Sequence, residues 1–246
     1  MRLNLSGDAY RKGDVHFHCV VDGYSIAYAY IRKNACSAFK DFFRGISSSP
    51  RRSGQSTLAM MMESHLASRG QVASADWRIC VLRDPVERLE SVFKNKFVQR
   101  SGNADIFADV RRTTSIEPVK ASFEEFVRNY AIPMAGSGDK HIRYQSDHLL
   151  GVDYNGAILI GSLHDEMQKI LGAEMAREYF GEPRNSTETQ TRRGLAESTT
   201  PAQVLAEAWV NDHVLPAQGD LLSDELIEEI RDAYACDLQL LSKMVK

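Results

Sequence analysis

The sequence predicts an α/β fold in which a short parallel sheet is flanked by helices, with a helix-rich second half. Three short apolar runs have the length of buried strands, at residues 24–31, 77–82 and 157–160. Segments with helical periodicity separate them, and strands that alternate with helices usually pair in parallel. No composition break marks a domain boundary, so a single domain is expected over residues 1–246.

The first apolar run leads into a polar segment at residues 32–37, and a helix follows. That helix is predicted to end near Gly45, because its apolar residues recur at three- and four-residue spacing. They are Ala38, Phe39, Phe42, Phe43 and Ile46. A loop between a buried strand and a helix N-terminus favours anions, through free N–H groups and the helix dipole. Lys33 adds a charge and Ser37 a hydroxyl donor. The glycines of GxxxxGK[ST] are absent, so a solvated loop is the alternative.

The second apolar run ends in Arg83, and Pro85 suits the first turn of the helix that follows. The apolar face of this helix is Val86, Leu89, Phe93 and Phe97. Arg83 is expected at the carboxyl end of its strand, where ligands of open α/β sheets bind, and its planar fork suits a phosphate. Ser91, two turns into the helix, is expected to donate to the same group. The alternative is an Arg–Asp cap with Arg88 on a solvated face.

The remaining elements are mostly helical. One helix is predicted over residues 57–69, which are rich in Leu, Ala and Met. The pairs Ser122 with Glu125 and Thr200 with Gln203 have the pattern of capping boxes that open two further helices. The last helix is predicted to start at Ser223. Its apolar stripe is Leu226, Ile230, Tyr234, Leu238 and Leu241.

Composition excludes several classes of protein. The net charge of −3 over 246 residues argues against a general nucleic-acid binder. No apolar run of about 18 residues occurs, so no membrane span is expected. The first 25 residues lack the apolar centre of a secretory signal, which predicts a cytoplasmic protein with reduced cysteines. The four cysteines have no zinc-ligand spacing, and no metal is expected.

Taken together, the two strand-to-helix segments resemble sulfotransferases that use 3′-phosphoadenosine 5′-phosphosulfate. Residues 33–37, Lys-Asn-Ala-Cys-Ser, are similar to the 5′-phosphosulfate-binding loop of these enzymes. The form RDPxxRxxSxxxxKF, which starts at Arg83, is similar to their 3′-phosphate-binding motif. Both point to the Golgi carbohydrate sulfotransferases (sulfotransferase family 2) and their bacterial relatives. Weaker similarities are the segment from His141 to Gln145 and a terminal helix with Tyr234 and Asp237. The Golgi members carry a membrane anchor and usually disulfides, so a soluble bacterial-type relative is expected.

The resemblance implies transfer of a sulfuryl group from this donor to a hydroxyl of a carbohydrate or small alcohol, on a P-loop-like nucleotide-binding core. Lys33 would stabilise charge on the departing bridging oxygen. His141 and Gln145 would contact the acceptor substrate. The donor-binding residues would be Arg32, Lys33, Asn34, Ala35, Cys36, Ser37, Arg83 and Ser91. The alternatives are a P-loop-type kinase that uses ATP and a non-catalytic nucleotide-binding protein of the same fold.

An alcohol acceptor also needs a base, and seven histidines compete for this role. His65 lies 18 residues before Arg83, in an interval where related sulfotransferases often place a histidine. It is therefore predicted as the general base, with a structural histidine as the alternative. His141 is the second candidate. Two basic segments, at residues 50–56 and 184–194, would either bind an anionic ligand or be solvated loops.

Overall fold

The computed structural model describes residues 1–7, 13–48, 52–181 and 190–244. The chain folds into two compact units that are interleaved in sequence. The first comprises Met1–Arg83, Gln145–Arg184 and Leu240–Lys246, and the second comprises Asp84–Tyr144 and Asn185–Gln239. The expectation of a single domain over residues 1–246 stays a prediction.

The secondary structure is mixed α/β, as the sequence predicts. The strands are β1 (Leu3–Asn4), β2 (His16–Val21), β3 (Tyr24–Ala29), β4 (Trp77–Leu82), β5 (Asp153–Tyr154), β6 (Gly156–Leu159), β7 (Gln190–Arg192) and β8 (Val214–Pro216). The helices are α1 (Cys36–Ile46), α2 (Thr57–Ser64), α3 (Arg69–Ser74), α4 (Pro85–Phe93), α5 (Ala104–Thr113), α6 (Phe123–Phe126), α7 (Leu163–Leu171), α8 (Ala173–Phe180), α9 (Ala202–Asp212), α10 (Asp224–Ala233) and α11 (Ala235–Ser242). Single π-helical turns, Lys94–Val98 and Val127–Ala131, continue α4 and α6.

A four-stranded sheet organises the first unit, in the order β2-β3-β4-β6. The three strands predicted from the sequence, β3, β4 and β6, pair in parallel. The sheet is not purely parallel, however, because β2 adds an antiparallel edge. The β2–β3 hairpin turns at Asp22 and Gly23, which both have positive φ, of 51° and 83°. Asp-Gly is a strong hairpin signal, because both central residues of a tight hairpin turn need that conformation.

The helix predicted over residues 57–69 ends early, at Ser64. The next residues pair with the free edge of β2 instead. His18 N–H donates to the His65 carbonyl at 2.8 Å, and Ala67 N–H donates to the His16 carbonyl at 2.9 Å. An edge strand offers unpaired N–H and C=O groups, and here their pairing outweighs local helix propensity.

Two other predicted helix features are wrong in detail. The terminal helix breaks at Tyr234, so Leu238 and Leu241 leave the stripe and are only half-buried. Thr200 does not cap α9, which follows Pro201 without a side-chain cap among the described residues. The Thr200 hydroxyl instead accepts from Glu197 N–H at 3.0 Å. The capping box of Ser122 and Glu125 is confirmed at α6.

Each unit has an apolar core of its own. In the first unit, α1 packs its aromatic face on the sheet, where the rings of Phe39 and Tyr28 stack with centroids 3.7 Å apart. In the second unit, an aromatic cluster joins α4, α6 and their π-helical extensions. Its members are Phe93, Phe97, Phe123, Phe126 and Tyr130. These cores fix the sheet edge and the helix ends that carry the predicted site residues.

Within the described residues, none of the helices has the length and apolar character needed to cross a membrane. All four cysteines belong to this part of the chain, and each one is a free thiol. Cys19 and Cys80 are buried, and burial raises the pKa of Cys19 to about 12. Buried thiols of this kind are unreactive, so these two cysteines serve packing.

Candidate functional site

The two predicted anion-binding segments leave the same edge of the sheet. Strands β3 and β4 run in parallel with Ile26 opposite Trp77 and Tyr28 opposite Ile79. Their carboxyl ends therefore lie side by side, and β3 continues into the loop at residues 30–35 while β4 continues into Arg83. This is the edge at which ligands of open α/β sheets bind.

The loop after β3 adopts a backbone that glycine usually provides. Lys33 and Ala35 both have positive φ, of 68° and 59°, in the left-handed region. Each such non-glycine residue costs on the order of 1–3 kcal/mol, and strain of this kind concentrates at functional sites. The loop thus reaches a glycine-like conformation without the glycines of GxxxxGK[ST].

The N-terminus of α1 opens directly from this loop. Ala35 is its N-cap, and no side chain among the described residues caps the helix. The first N–H groups of an α-helix lack intrahelical partners and carry the positive end of the helix dipole. The half-buried Ser37 lies in this first turn. A pocket of about 210 Å³ adjoins it, lined by Ser37, Lys40, Asp41, Ser56, Thr57 and Leu58. This end of α1 is suited to a phosphate or sulfate group.

Asn34 anchors the loop from inside the protein. Its side chain is 0% exposed, and its Nδ2 donates to the Val81 carbonyl at 2.8 Å and to Gln145 Oε1 at 2.5 Å. Its backbone N–H also bonds within the protein, to the Ile31 carbonyl at 3.3 Å. The Asn34 Nδ2 is therefore occupied in holding the loop to the end of β4, and the assignment of Asn34 to the donor site stays a prediction.

Gln145 is likewise a positioning residue. It is 0% exposed, and its amide bonds to both backbone polar groups of Arg83, at 2.8 and 3.0 Å. Its side chain bonds to Arg83 and Asn34, and contact between Gln145 and the acceptor stays a prediction. Arg83 itself is half-buried, directly after β4.

The side chains that flank Lys33 are partly accessible. Arg32, Lys33, Cys36 and Ser37 are all half-buried. The Arg32 guanidinium lies over the ring of Tyr30, with its Cζ 5.8 Å from the ring centroid. Burial raises the pKa of the Tyr30 phenol, which therefore stays neutral beside the basic loop.

The second unit holds the rest of the RDPxxR motif. Asp84 caps α4, since its carboxylate accepts from Val86 N–H at 2.8 Å and from Glu87 N–H at 3.4 Å. Arg88 is 0% exposed, so it does not lie on a solvated face as the alternative interpretation expected. Its guanidinium donates to the carbonyls of Arg143 and Lys140 at 2.7 and 3.4 Å.

Ser91 is half-buried on α4, and its assignment to the donor site stays a prediction. The lysines that follow it bond within the second unit. Lys94 forms an ion pair with Glu90 at 2.8 Å, and Lys96 donates to the Ser101 carbonyl at 2.6 Å. Both lysines therefore act in the fold of the second unit.

His141 pairs with a carboxylate that sequence reasoning missed. Its Nδ1 lies 2.5 Å from Asp139 Oδ1, and the same oxygen accepts from the His141 N–H at 2.9 Å. His141 is 5% exposed. The available signal was the spacing, because an Asp side chain commonly accepts from the backbone N–H two residues on.

His65 lies away from the loop that holds Lys33. It is the C-cap of α2, its Nδ1 donates to the His18 carbonyl at 3.1 Å, and its Nε2 lies 3.2 Å from Ser47 Oγ. Ser47 ends α1, whereas Ala35 begins it. At a rise of about 1.5 Å per residue, the 11 residues of α1 separate these ends by roughly 16 Å. This placement favours a structural role, and His65 as general base stays an untested prediction.

The two basic segments are described only in part. Residues 49–51 and 182–189, which include Arg51 and the segment 184–186, lie outside the described residues. Arg52 is exposed and forms an ion pair with Glu63 at 2.5 Å, as expected for a solvated loop. Arg192 and Arg193 are exposed, and Gly194 N–H donates to Asp220 Oδ2 at 2.9 Å.

No group of three or more His, Cys, Asp or Glu side chains in the described ranges is arranged to hold a metal ion.

A family model described as the sulfotransferase family matches residues 18–243, nearly the whole chain. Among curated proteins and among solved structures, none matches. The family match covers both the loop at residues 32–37 and the RDPxxR segment.

Proposed function

Because the chain belongs to the sulfotransferase family, we propose that it transfers a sulfuryl group from 3′-phosphoadenosine 5′-phosphosulfate to a hydroxyl of a carbohydrate or small alcohol. Membership of the family supports sulfuryl transfer in general. The identity of the donor and the class of the acceptor are what we propose. The observation that carries it is the loop at residues 32–37, with its left-handed backbone and the uncapped start of α1.

The roles proposed for the donor site follow from charge and position. The first N–H groups of α1 and the Ser37 hydroxyl would hold the 5′-phosphosulfate. Lys33 would stabilise the negative charge that grows on the bridging oxygen as the sulfuryl group leaves, by analogy with phosphoryl transfer. Arg83 and Ser91 would bind the 3′-phosphate, the group that distinguishes this donor from ATP.

Asn34 and Gln145 support this proposal from within the protein. Both are fully buried, and their amides tie the loop to Val81 and Arg83 at the end of β4. A charged ligand is bound well only where its donors are already held in place, since ordering them on binding costs free energy. The proposed P-loop-like core is thus one in which buried amides, not glycines, set the loop conformation.

Ligand-induced thermal stabilisation tests the proposed donor. A ligand that binds only the folded state raises the unfolding free energy by RT ln(1 + [L]/Kd). We expect 3′,5′-bisphosphoadenosine to raise the melting temperature more than 5′-AMP or ATP with Mg²⁺ at equal concentration. A larger shift with ATP and Mg²⁺ would favour the kinase alternative. Binding of the bisphosphate without release of sulfate from the full donor would favour the non-catalytic alternative.

A further inference from the structure

We propose that the buried amides of Asn34 and Gln145 make the protein selective for a nucleotide with anionic groups at both its 3′ and 5′ positions. They do so by holding Arg83 and the loop at residues 32–37 at a fixed separation. This inference rests on the proposed function, which assigns the 5′-phosphosulfate to the loop and the 3′-phosphate to Arg83. Both amides act through these segments, so Asn34 and Gln145 are specificity-determining positioning residues.

The amides join the two segments at the point where β3 and β4 stop pairing. Within the described strands, Tyr28 and Ile79 form the final pair between β3 and β4. Beyond this pair, the Val81 carbonyl accepts from Asn34 Nδ2 at 2.8 Å, and the same nitrogen donates to Gln145 Oε1 at 2.5 Å. Side-chain amides thus carry the register of the sheet into the residues that follow both strands.

The donors and acceptors of this network have one consistent assignment. The carbonyls of Val81 and Arg83 can only accept hydrogen bonds. The amide nitrogens of Asn34 and Gln145 therefore face them, at 2.8 Å in both pairs. Gln145 Oε1 accepts from Asn34 Nδ2 and from the Arg83 N–H, at 2.5 and 3.0 Å. Turning either amide over would place oxygen against oxygen, so the network holds the loop and Arg83 in a single arrangement.

Burial makes this arrangement persistent. Asn34 and Gln145 are both 0% exposed, so a bond that either amide loses is not replaced by a bond to water. Asn34 also lies between Lys33 and Ala35, whose positive φ values are strained for residues other than glycine. Such strain persists only where the surrounding structure holds it in place. The loop and Arg83 are therefore ordered before a ligand binds, and binding does not have to pay for ordering them.

A fixed separation gives selectivity through effective concentration. Once one anionic group of the nucleotide is bound, the second group binds at an effective concentration that depends on the distance between the two subsites. This concentration is highest when the span of the subsites matches the ligand, and it falls when the subsites move independently. The amide bridge should therefore strengthen binding of a 3′,5′-bisphosphate more than binding of either monophosphate.

The test measures the binding of 3′,5′-bisphosphoadenosine, 5′-AMP and 3′-AMP by isothermal titration. Asn34→Ala removes the loop end of the bridge and leaves the bonds between Gln145 and Arg83. We expect it to lower the preference for the bisphosphate over 5′-AMP by about 5-fold or more, the lower range of coupling between two binding sites. The variant thus weakens recognition of the 3′-phosphate from the loop proposed for the 5′ group. Gln145→Met should conversely lower the preference for the bisphosphate over 3′-AMP.

A merely structural role predicts a different pattern of affinities. Lower stability reduces the fraction of folded protein, which weakens all three nucleotides by the same factor and leaves their ratios unchanged. Tyr154→Phe is the matched control, because it removes a buried hydroxyl of the same unit that bonds to His16 and to the Leu150 N–H. Its ratios should equal those of the wild type. If Asn34→Ala does not fold, Asn34→Ser takes its place, since a single hydroxyl hydrogen keeps at most one of the two bonds.

Two results would overturn the inference, and they are distinguishable. Folded variants of Asn34 and Gln145 with wild-type ratios of affinity would show that the amides only stabilise the fold, and the proposed function would stand. A wild-type protein that binds the bisphosphate no better than either monophosphate would overturn the proposed donor itself, and the inference with it.

Discussion

Gln145 satisfies both backbone polar groups of Arg83. Its Nε2 donates to the Arg83 carbonyl at 2.8 Å, and its Oε1 accepts from the Arg83 N–H at 3.0 Å. The same oxygen accepts from Asn34 Nδ2 at 2.5 Å. One buried side chain therefore joins two segments that are 49 positions apart in the sequence, the loop after β3 and the residue after β4. The geometry of the proposed donor site depends on this amide.

We expect Gln145→Leu to destabilise the protein by roughly 3 kcal/mol or more. The change leaves the N–H and carbonyl of Arg83 and one Asn34 N–H without their partner. Each buried polar group that loses its hydrogen bond in this way costs about 1–3 kcal/mol. Urea unfolding measures the loss. Gln145→Glu should also destabilise the protein, because it places a buried carboxylate oxygen against the Arg83 carbonyl. If the effects of Gln145→Leu and Asn34→Ala simply add, the two amides are not coupled.

Lys33→Ala should lower turnover by about 10²-fold or more, as the loss of one charge partner in the transition state does. Binding of 3′,5′-bisphosphoadenosine should weaken much less, because the charge on the bridging oxygen grows only during transfer. Steady-state kinetics and calorimetry measure the two effects. Lys169→Ala, an exposed lysine of α7, is the matched control. Wild-type turnover in Lys33→Ala would remove Lys33 from the mechanism.

Arg83→Ala should abolish most of the preference for 3′,5′-bisphosphoadenosine over 5′-AMP. A hydrogen bond to a charged group contributes about 1.5–3 kcal/mol, so the preference should fall by roughly 10- to 150-fold. Ser91→Ala should have a smaller effect in the same direction, because a neutral hydroxyl contributes about 0.5–1.5 kcal/mol. Isothermal titration with both nucleotides is the measurement. An Arg83 variant that still distinguishes the two would place the 3′-phosphate elsewhere.

The variant His65→Ala tests two roles for His65. One is the general base predicted from the sequence, and the other is the structural role that its position favours. The variant loses the contacts of both ring nitrogens, with His18 and Ser47, and an edge contact with Phe43. We expect a lower melting temperature and a turnover within a few-fold of the wild type. A loss of about 10²–10⁴-fold in turnover at unchanged stability would instead restore His65 as the general base.

The stability of the protein should fall as the pH drops below about 6.5, in part through His16. Burial lowers the pKa of His16, which bonds to Tyr154 and lies near Asp14 and His148. The unfolded chain then binds a proton at a pH where the folded protein does not, so acid favours unfolding. Urea unfolding at pH 7.5 and 5.5 measures the difference. His16→Asn should be less stable but should lose less on acidification, and an unchanged pH dependence would exclude this contribution.

Much of the fold follows from local patterns in the sequence. The runs at 24–31, 77–82 and 157–160 contain β3, β4 and most of β6, and Pro85 opens α4. These patterns reflect burial and backbone sterics, which act over a few residues. The Asp22–Gly23 hairpin could also be predicted from its local sequence, but it was missed. The early end of α2 could not be predicted in this way, because it depends on the edge of β2, which is distant in sequence.

The sequence by itself determined the two strand-to-helix segments that hold the predicted site residues Lys33, Ser37 and Arg83. Only the tertiary structure decided which partners the polar side chains of these segments meet. Asn34, Gln145 and Arg88 looked like polar residues of binding motifs, and the fold buries all three as supports for the backbone. Residue type and spacing limit what a side chain can donate or accept. Which partner it meets depends on contacts between distant segments, and a buried polar group must bond to whatever the fold brings to it.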